Sequence, residues 1–458
     1  MKKTKISTFF NKEGECPMKQ SLTLKETIPI GLMLFAIFFG AGNMIFPPLL
    51  GYSSGTNIWI SISGFVVSSI GLPLLAIAAI SLFGGNVSTL ASRIHPACGV
   101  IIPLIIYLAI GPFFAIPRTG TVSYEMAVAP FLSNTLQNQW YILLLYTFLY
   151  FVITYYLSLN PSKLVDRIGK YLTPLLLIMI SIIIVKAISS PVGSISTPSD
   201  SYQVAPFFKG FIEGFLTMDA LAALVFGIIV INAIKEKGVT NKKSIAKSTI
   251  VAGHIAALGL SIIYISLAYI GATSQTFGTF ENGSVLLTNV VQHLFGEYGL
   301  SLLGITMLFA CLTTSVGLVS ACGRFFITLF PKISYSKIIL IICLFSFGVS
   351  NLGLSMLIKL SLPILIVIYP VAIVLIILAF FDRFIKDKQA VYVGSVLGAL
   401  LISIVQGLET AELASDSLLT FMQYVPLYNE GMGWVLIALL GSLIGLMISR
   451  RTKQCSTT

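Results

Sequence analysis

Long apolar runs recur from near the start of the chain to its end, and short polar segments separate them. A helix of about 20 apolar residues rises about 30 Å, which is the thickness of the hydrocarbon core of a membrane. The pattern predicts an all-α polytopic membrane protein, because the strands of a membrane barrel need only about 10 residues each. The predicted transmembrane helices, twelve in number, cover residues 26–51, 57–82, 100–127, 141–159, 169–188, 207–234, 247–272, 298–329, 337–351, 355–381, 390–407 and 433–449.

Cationic side chains are distributed unevenly between the two sides of this predicted membrane protein. The chain of 458 residues is 56% hydrophobic and only 10% charged, with a formal net charge of +11. When alternate loops are assigned to opposite sides, 24 of the 28 Lys and Arg residues fall on the side of the N-terminus. Cytoplasmic loops of membrane proteins carry such an excess. We therefore expect cytoplasmic termini, an even number of spans and no nucleic-acid partner.

Residue types that commonly carry catalysis or bind metals are sparse. The three histidines, His95, His254 and His293, are widely spaced, and the six cysteines form no CxxC or Cys/His cluster. No cysteine falls in a predicted outer loop, so we expect no disulfide. The sequence also lacks a Ser/His/Asp set, an HExxH motif and a phosphate-binding loop. It predicts neither an enzyme nor an organic cofactor, and it lacks the repeated filter sequences of channels.

The first apolar run contains residues that interrupt a helix. In IFFGAGNMIFPPLLG, residues 37–51, Gly40 and Gly42 permit unusual backbone angles and Asn43 can cap a restarted helix. Irregular backbone at membrane depth occurs only where it is buried in protein or lines a cavity. We interpret the stretch as two half-helices whose junction presents free N–H groups that suit a carboxylate. The same residues also fit close helix packing or a simple proline kink.

The sixth span contains a second set of polar residues at membrane depth. FIEGFLTMDALAALVFG, residues 211–227, holds Glu213, Thr217 and Asp219. A carboxylate inside the membrane costs at least about 2.5 kcal/mol and usually marks a functional site. The first and sixth spans open two five-span halves, and interrupted helices at matching positions indicate a transporter site near the midplane. The halves show no obvious sequence repeat, so their symmetry is inferred from position alone.

Two further features lie in the eighth and third spans. Ala310, Thr313 and Thr314 share one face of the eighth helix, which is either an oxygen-rich lining or a packing face. A charged side chain such as Arg118 in the third span has a high free-energy cost within the membrane unless it is paired or hydrated. Its candidate partners are Asp219 and Glu213, and we favour a structural ion pair over a gating role.

Several motifs resemble, in order and spacing, those of the branched-chain amino acid:cation symporter family. They are GLMLFAI followed by FFGAGNMIFPP, then GPFFAIPRTGTVSYE, then LTMDALAALVFGI, within about residues 25–450. The resemblance implies uptake of leucine, isoleucine and valine by sodium symport across the bacterial cell membrane. It also implies a LeuT-type fold with two inverted five-helix repeats and two additional helices. The parts would be a cytoplasmic tail (1–25), the first repeat (26–188), the second repeat (207–381), the additional helices (390–449) and a cytoplasmic tail (450–458).

The resemblance also implies roles for individual residues at the two breaks. The backbone N–H groups of the first break would bind the substrate carboxylate, and carbonyls of both breaks would face its ammonium group together with Asp219. Relatives often have a neutral hydroxyl residue where Asp219 falls. The substrate residues implied in this way are Phe38, Gly40, Ala41, Gly42, Asn43, Leu216, Thr217 and Asp219.

The motif ACLTTS resembles the sodium motif in the eighth helix of relatives. It would give sodium five oxygens, namely the carbonyls of Ala36, Phe39 and Ala310 and the hydroxyls of Thr313 and Thr314. Such a set, with no carboxylate required, suits a monovalent hard cation. Two alternatives stay open on the same fold: a proton-coupled carrier that uses Asp219, Glu125 or Glu213, and a carrier of another neutral amino acid. The sequence gives no signal for an oligomeric state.

Overall fold

The computed structural model describes residues 22–137, 139–159, 173–385 and 388–456, which are predominantly helical and contain no β-strand. Most of the predicted tail 1–25 lies outside the described residues. The helices of the first half are α1 (Leu24–Phe38), α2 (Ala41–Ser54), α3 (Ile58–Val66), α4 (Leu72–Leu82), α5 (Val87–Ala91), α6 (Cys98–Leu108), α7 (Ala115–Ala127), α8 (Asn134–Gln137), α9 (Trp140–Ser158) and α10 (Thr173–Ser189).

The second half continues with nine further helices among the described residues. They are α11 (Pro206–Glu213), α12 (Asp219–Glu236), α13 (Lys242–Ala272), α14 (Gly283–Leu329), α15 (Tyr335–Ser350), α16 (Leu354–Phe381), α17 (Lys388–Thr410), α18 (Asp416–Met422) and α19 (Gly433–Ser456). Helix α19 thus runs through most of the predicted tail 450–458. Two π-helical segments, Val67–Gly71 and Ala109–Phe113, join α3 to α4 and α6 to α7.

Among the described residues, each predicted span coincides with a helix or with an interrupted pair of helices; residues 169–172 of the fifth predicted span lie outside the described residues. Seven helical segments of the described chain are long and apolar enough to cross a membrane, and the bent pair of α11 and α12 makes an eighth. Helices α10 and α15 and the first part of α19 are apolar but shorter, with 10–17 residues each. The all-helical, multi-span class is confirmed among the described residues, whereas the number of twelve crossings stays a prediction.

The helix that contains the eighth predicted span begins well before residue 298. Helix α14 begins at Gly283, where the side chain of Asn282 accepts hydrogen bonds from the backbone N–H groups of Ser284 and Val285 at 3.0 and 3.1 Å. Hydropathy alone misses this first part because polar residues are frequent in it. Gly296 separates it from the apolar part, with a left-handed φ of 62° that favours glycine.

Helix α2 lies in the centre of the molecule, and nearly all of its residues are buried. It crosses α13 at a distance that only glycine allows. A Cβ atom on Gly51 would lie 1.8 Å from the carbonyl oxygen of Ala268, and one on Gly271 would lie 1.8 Å from that of Pro48. Small residues at such crossings let backbones approach closely in membranes, where helix association depends on packing. This crossing fixes α2 beside the elements that form the site below.

Candidate functional site

The first helix is broken where the sequence predicts it. Helix α1 ends at Phe38 and α2 begins at Ala41, and the two residues between them are extended. The N–H of Gly40 donates to the side-chain oxygen of Asn43 at 3.1 Å. The predicted cap is therefore corrected in one respect: Gly40 takes the position before the helix, and Asn43 closes the turn from inside it. The first N–H groups of α2 have no acceptor within their own helix.

The second predicted break is also present. Helix α11 ends at Glu213, a 3₁₀ turn covers Gly214–Thr217, and α12 begins at Asp219. The segments before and after the break bend by 45°. Met218 at the junction is buried and has a φ of 63°. A side chain held in this left-handed conformation costs about 1–3 kcal/mol, and such strain is often found at functional sites.

A third break, which the sequence analysis missed, precedes Arg118. Gly111 has non-helical backbone angles (φ −94°, ψ −122°) before Pro112, and the helix restarts as α7 at Ala115. Proline disfavours the helical region for the residue before it, so the Gly-Pro pair was an available signal. The restart places Arg118 in the first turn of α7, where its N–H donates to the carbonyl of Phe114 at 3.0 Å.

A buried polar cluster connects the first two breaks. The amide nitrogen Nδ2 of Asn43 donates to Oδ2 of Asp219 at 2.6 Å and also bonds the hydroxyl of Tyr264. That hydroxyl in turn donates to Oδ2 of Asp219 at 3.1 Å. All three side chains are at most 3% exposed. Tyr264, on α13, carried no signal in the sequence because it is one tyrosine within a long apolar helix.

Arg118 lies at the N-terminus of α2, and no ion-pair partner of its side chain is found among the described residues. Its side chain is 3% exposed, and its guanidinium stacks over the ring of Phe46 at 5.2 Å. A Cβ atom on Gly42 would lie 2.9 Å from Nη2 of Arg118, so the guanidinium and the first turn of α2 are close. Nε and Nη1 of Arg118 have no hydrogen-bond partner among the described residues.

The expected pair between Arg118 and Glu213 does not form in this conformation. Glu213 instead lies 3.9 Å from Nζ of Lys209, one turn earlier in α11. Asp219 lines the same cavity as Arg118, although the two side chains make no direct ion pair among the described residues. Sequence spacing could not distinguish these carboxylates, because the break between them directs them to different surroundings.

The three breaks surround a small cavity of about 30 Å³. Of the eight predicted substrate residues, Leu216 alone does not line it. The polar lining includes Arg118, Thr119 and Thr314 besides predicted residues, and the apolar lining comes from Ile37, Ile110, Ala115, Met218, Ala222, Phe226 and Leu318. The site therefore combines a basic and an acidic residue, Arg118 and Asp219, with an aliphatic and aromatic wall.

The five predicted sodium oxygens lie in two neighbouring groups, one around the hydroxyl of Thr313 and one around the hydroxyl of Thr314, which lines this cavity. The hydroxyl of Thr313 lies 3.3 Å from the carbonyl oxygen of Ala36 and 2.9 Å from that of Ala310. The hydroxyl of Thr314 lies 3.4 Å from the carbonyl oxygen of Phe39. A sixth oxygen, the carbonyl of Ile37, lies 3.1 Å from the same hydroxyl and was not predicted. Helix α14 thus contacts the end of α1 through both threonines.

Comparison with known proteins agrees with this geometry. A family model described as "Branched-chain amino acid transport protein" matches residues 23–452. The chain is 49% identical to the branched-chain amino acid permease BraB of Bacillus subtilis, over 94% of this chain and 97% of the relative. It is 39% identical to the branched-chain amino acid permease BrnQ of Escherichia coli K12, over 96% and 99%. These names describe permeases rather than enzymes.

Solved structures support the fold. The chain is similar to Mhp1, a nucleobase-cation-symport-1 family transporter, in a closed conformation with bromovinylhydantoin bound, with a TM-score of 0.61 and 14% identity over 96% of both chains. The TM-score to an inward-facing conformation of Mhp1 is 0.53, with 13% identity over 95% of both chains. The protein therefore has a LeuT-like fold.

Proposed function

Because the chain belongs to the branched-chain amino acid transport protein family, we propose that it imports leucine, isoleucine and valine by sodium symport through alternating access. The names of its relatives support the substrate class. The lining of the cavity supports it independently, since the apolar part consists largely of aliphatic side chains and Phe226. A branched aliphatic side chain would bury its surface there, at about 25 cal/mol for each Å² removed from water.

The convergence of the oxygens of α1 and α14 carries the sodium assignment. Two oxygens that bind one hard cation at about 2.4 Å lie about 3.4 Å apart when their bonds are perpendicular. The hydroxyls of Thr313 and Thr314 lie 2.9–3.4 Å from the carbonyls around them, so small rotations would turn their lone pairs towards a shared ion. No carboxylate belongs to this set, which favours a monovalent cation.

The position of the cation site suggests how the ion is coupled to the substrate. The carbonyls of Ala36 and Phe39 lie at the break of the first helix, and the following residues, Gly40 and Ala41, line the cavity. An ion that joins this break to α14 would therefore stabilise the form of the break that binds the amino acid. Linkage requires that the substrate increase the affinity for sodium by the same factor by which sodium increases the affinity for the substrate.

Proton coupling is the second candidate, and the burial of Asp219 favours it. This carboxylate lies in the cavity wall and is 3% exposed, so it could take up and release a proton during transport. Its hydrogen bonds from Asn43 and Tyr264 favour the charged form instead. We therefore propose Asp219 as a partner of the substrate ammonium rather than as a proton carrier.

We also propose the finer topology. The chain would cross the bacterial cell membrane twelve times with cytoplasmic termini, and two inverted five-helix repeats would be followed by α17 and α19. The charge bias supports this orientation, since 24 of 28 cationic residues fall on one side. Helices α17 and α19 pack mainly on each other, with glycines at the crossing: a Cβ atom on Gly394 would lie 2.2 Å from the carbonyl oxygen of Gly441.

Transport into proteoliposomes tests the proposed function. Purified protein would be reconstituted, and uptake of radiolabelled leucine would be measured under an imposed sodium gradient or an imposed proton gradient. We expect uptake with the sodium gradient, competition by isoleucine and valine, and little competition by alanine or lysine. Uptake that follows the proton gradient in the absence of sodium would support the second candidate, and no leucine uptake under either gradient would contradict both.

A further inference from the structure

We propose that Arg118 binds the carboxylate of the transported amino acid, so that the protein selects substrates with a free carboxylate at one end and an ammonium group at the other. This inference rests on the proposed function and deepens it. It assigns to Arg118 a role in substrate recognition instead of the structural ion pair that the sequence favoured.

The burial of Arg118 without a charged partner is the first argument. Arg118 is 3% exposed, lines the cavity, and has no partner for Nε or Nη1 among the described residues. A buried charge is expensive unless it is paired and hydrogen-bonded. Asp382 follows this rule, since it is paired with both Arg93 and Lys388. A ligand that brings an acceptor into the cavity would remove the cost at Arg118.

The position of the guanidinium identifies the acceptor as an anion. Nη2 lies beside Gly42, in the first turn of α2, whose free N–H groups carry partial positive charge. Two sources of positive charge thus converge on one part of the cavity. A planar guanidinium binds a carboxylate through two parallel hydrogen bonds. The N–H groups of Ala41 and Gly42 would donate further hydrogen bonds to the oxygens of the same carboxylate. Gly42 is needed because any Cβ there would displace Arg118.

Asp219 supplies the opposite charge in the same cavity. Its Oδ2 accepts from Asn43 and Tyr264, both of which are neutral, so neither of them is a charged partner for this carboxyl group. A zwitterion between Arg118 and Asp219 would neutralise both charges at once. An amine without a carboxylate, or an acid without an ammonium group, would leave one buried charge without a partner.

The alternative is that Arg118 merely balances the charge of Asp219 across the cavity. The two roles differ in how the protein ranks ligands. If Arg118 binds the carboxylate, the unmodified protein prefers leucine to leucinamide, and loss of the guanidinium removes that preference. If Arg118 only balances Asp219, the preference comes from elsewhere and survives the loss, and neutralising Asp219 at the same time restores leucine binding.

The test is competition against labelled leucine in counterflow by reconstituted protein, with leucine, leucinamide and isocaproate as competitors. For the unmodified protein, we expect leucinamide and isocaproate to compete at least about 10-fold more weakly than leucine, the effect of one charged hydrogen bond. In Arg118→Gln, the affinity for leucine should fall at least about 10-fold while the affinity for leucinamide is unchanged, so the ratio of the two affinities approaches one. Arg118→Lys should keep part of the preference. Arg93→Gln, the same substitution at an ion pair that does not line the cavity, should keep all of it.

Three results would overturn the inference while leaving leucine transport established: an unmodified protein that accepts leucinamide as well as leucine, an Arg118→Gln protein with the original ratio, or recovery of leucine affinity in Arg118→Gln/Asp219→Asn. The first needs no variant, so it decides the matter even where Arg118→Gln fails to fold. Absence of any leucine counterflow by the unmodified protein would instead contradict the proposed function.

Discussion

The hydroxyl oxygen of Thr313 lies 3.3 Å from the carbonyl oxygen of Ala36, which is 277 residues earlier in the chain. The contact is possible because α1 stops at Phe38, which leaves its last carbonyls without helical N–H donors. Threonine hydroxyls on α14 meet these carbonyls in the buried centre of the protein. One small group of oxygens therefore joins the broken helix that lines the cavity to an intact helix behind it.

Removing one hydroxyl at this junction should weaken the binding of sodium more than the binding of leucine. We expect Thr314→Ala to raise the sodium concentration for half-maximal leucine uptake by about 10-fold, since an interaction with a charged group contributes about 1.5–3 kcal/mol. Leucine affinity at saturating sodium should change little, and Thr313→Ala should behave alike. Uptake would be measured over a range of sodium concentrations.

Thr306→Ala is the matched control, because Thr306 is buried on the same helix and its hydroxyl bonds only the carbonyl of Leu302, within its own helix, at 2.6 Å. Its sodium dependence should equal that of the unmodified protein. An equal shift in Thr306→Ala and Thr314→Ala would mean that α14 is merely destabilised, and the sodium site would lose its support.

A side chain at position 40, on the broken first helix, should also disturb the proposed sodium site. A Cβ atom on Gly40 would lie 2.6 Å from the hydroxyl oxygen of Thr314, closer than a Cβ atom can approach. Gly40→Ala should therefore displace that hydroxyl and raise the sodium requirement at least as much as Thr314→Ala. In Gly348→Ala, where nothing lies within 4 Å of the new atom, sodium dependence should stay normal. A Gly40→Ala protein with normal sodium dependence would contradict the proposed arrangement.

Asp219 should matter for the substrate more than for stability. We expect Asp219→Asn to weaken leucine binding at least about 10-fold, because the ammonium group would lose its charged partner. Tyr264→Phe removes one hydrogen bond to the carboxylate of Asp219 and should lower the free energy of unfolding by about 1.5–3 kcal/mol. Competition binding and thermal unfolding should be measured on both variants. Lower thermal stability with unchanged leucine affinity in Asp219→Asn would assign this carboxylate a structural role.

The proposed orientation can be tested by labelling single cysteines. Ser199 lies in the exposed segment after α10, and Ser244 lies near the start of α13. In a protein without its native cysteines, a membrane-impermeant maleimide added to intact cells should label Ser199→Cys. Ser244→Cys should react only after the cells are opened. Labelling of Ser244→Cys in intact cells would place the termini on the opposite side from the proposed one.

Local sequence predicted the parts of the site that depend on backbone chemistry. The breaks at Gly40 and before Asp219 could be located because glycine, asparagine and a membrane-buried carboxylate are unusual in an apolar helix. The break at Gly111 was not predicted because the apolar run continues on both sides of it. The charge of Arg118 indicates ion pairing and gives no signal for the end of a helix. The resemblance supplied the grouping of Ala36 with Thr313, since no local pattern relates two residues that far apart.

Tertiary contacts that involve common residues could not be predicted in this way. Tyr264 has no unusual neighbour in the sequence, and the packing of α13 against α12 brings it to Asp219. The position of Arg118 beside Gly42 likewise depends on how α7 restarts after Phe114. Sequence identified which residues were expensive to bury, and the fold determined which of them share a cavity.

Sodium movement driven by leucine tests the central claim most directly. Proteoliposomes would contain equal sodium concentrations on both sides, with the membrane potential clamped and leucine added only outside. If sodium and leucine are carried together, radioactive sodium should accumulate inside although no sodium gradient drives it. Thr314→Ala should reduce this accumulation at low sodium concentrations. Leucine entry that acidifies the interior without moving sodium would contradict sodium symport.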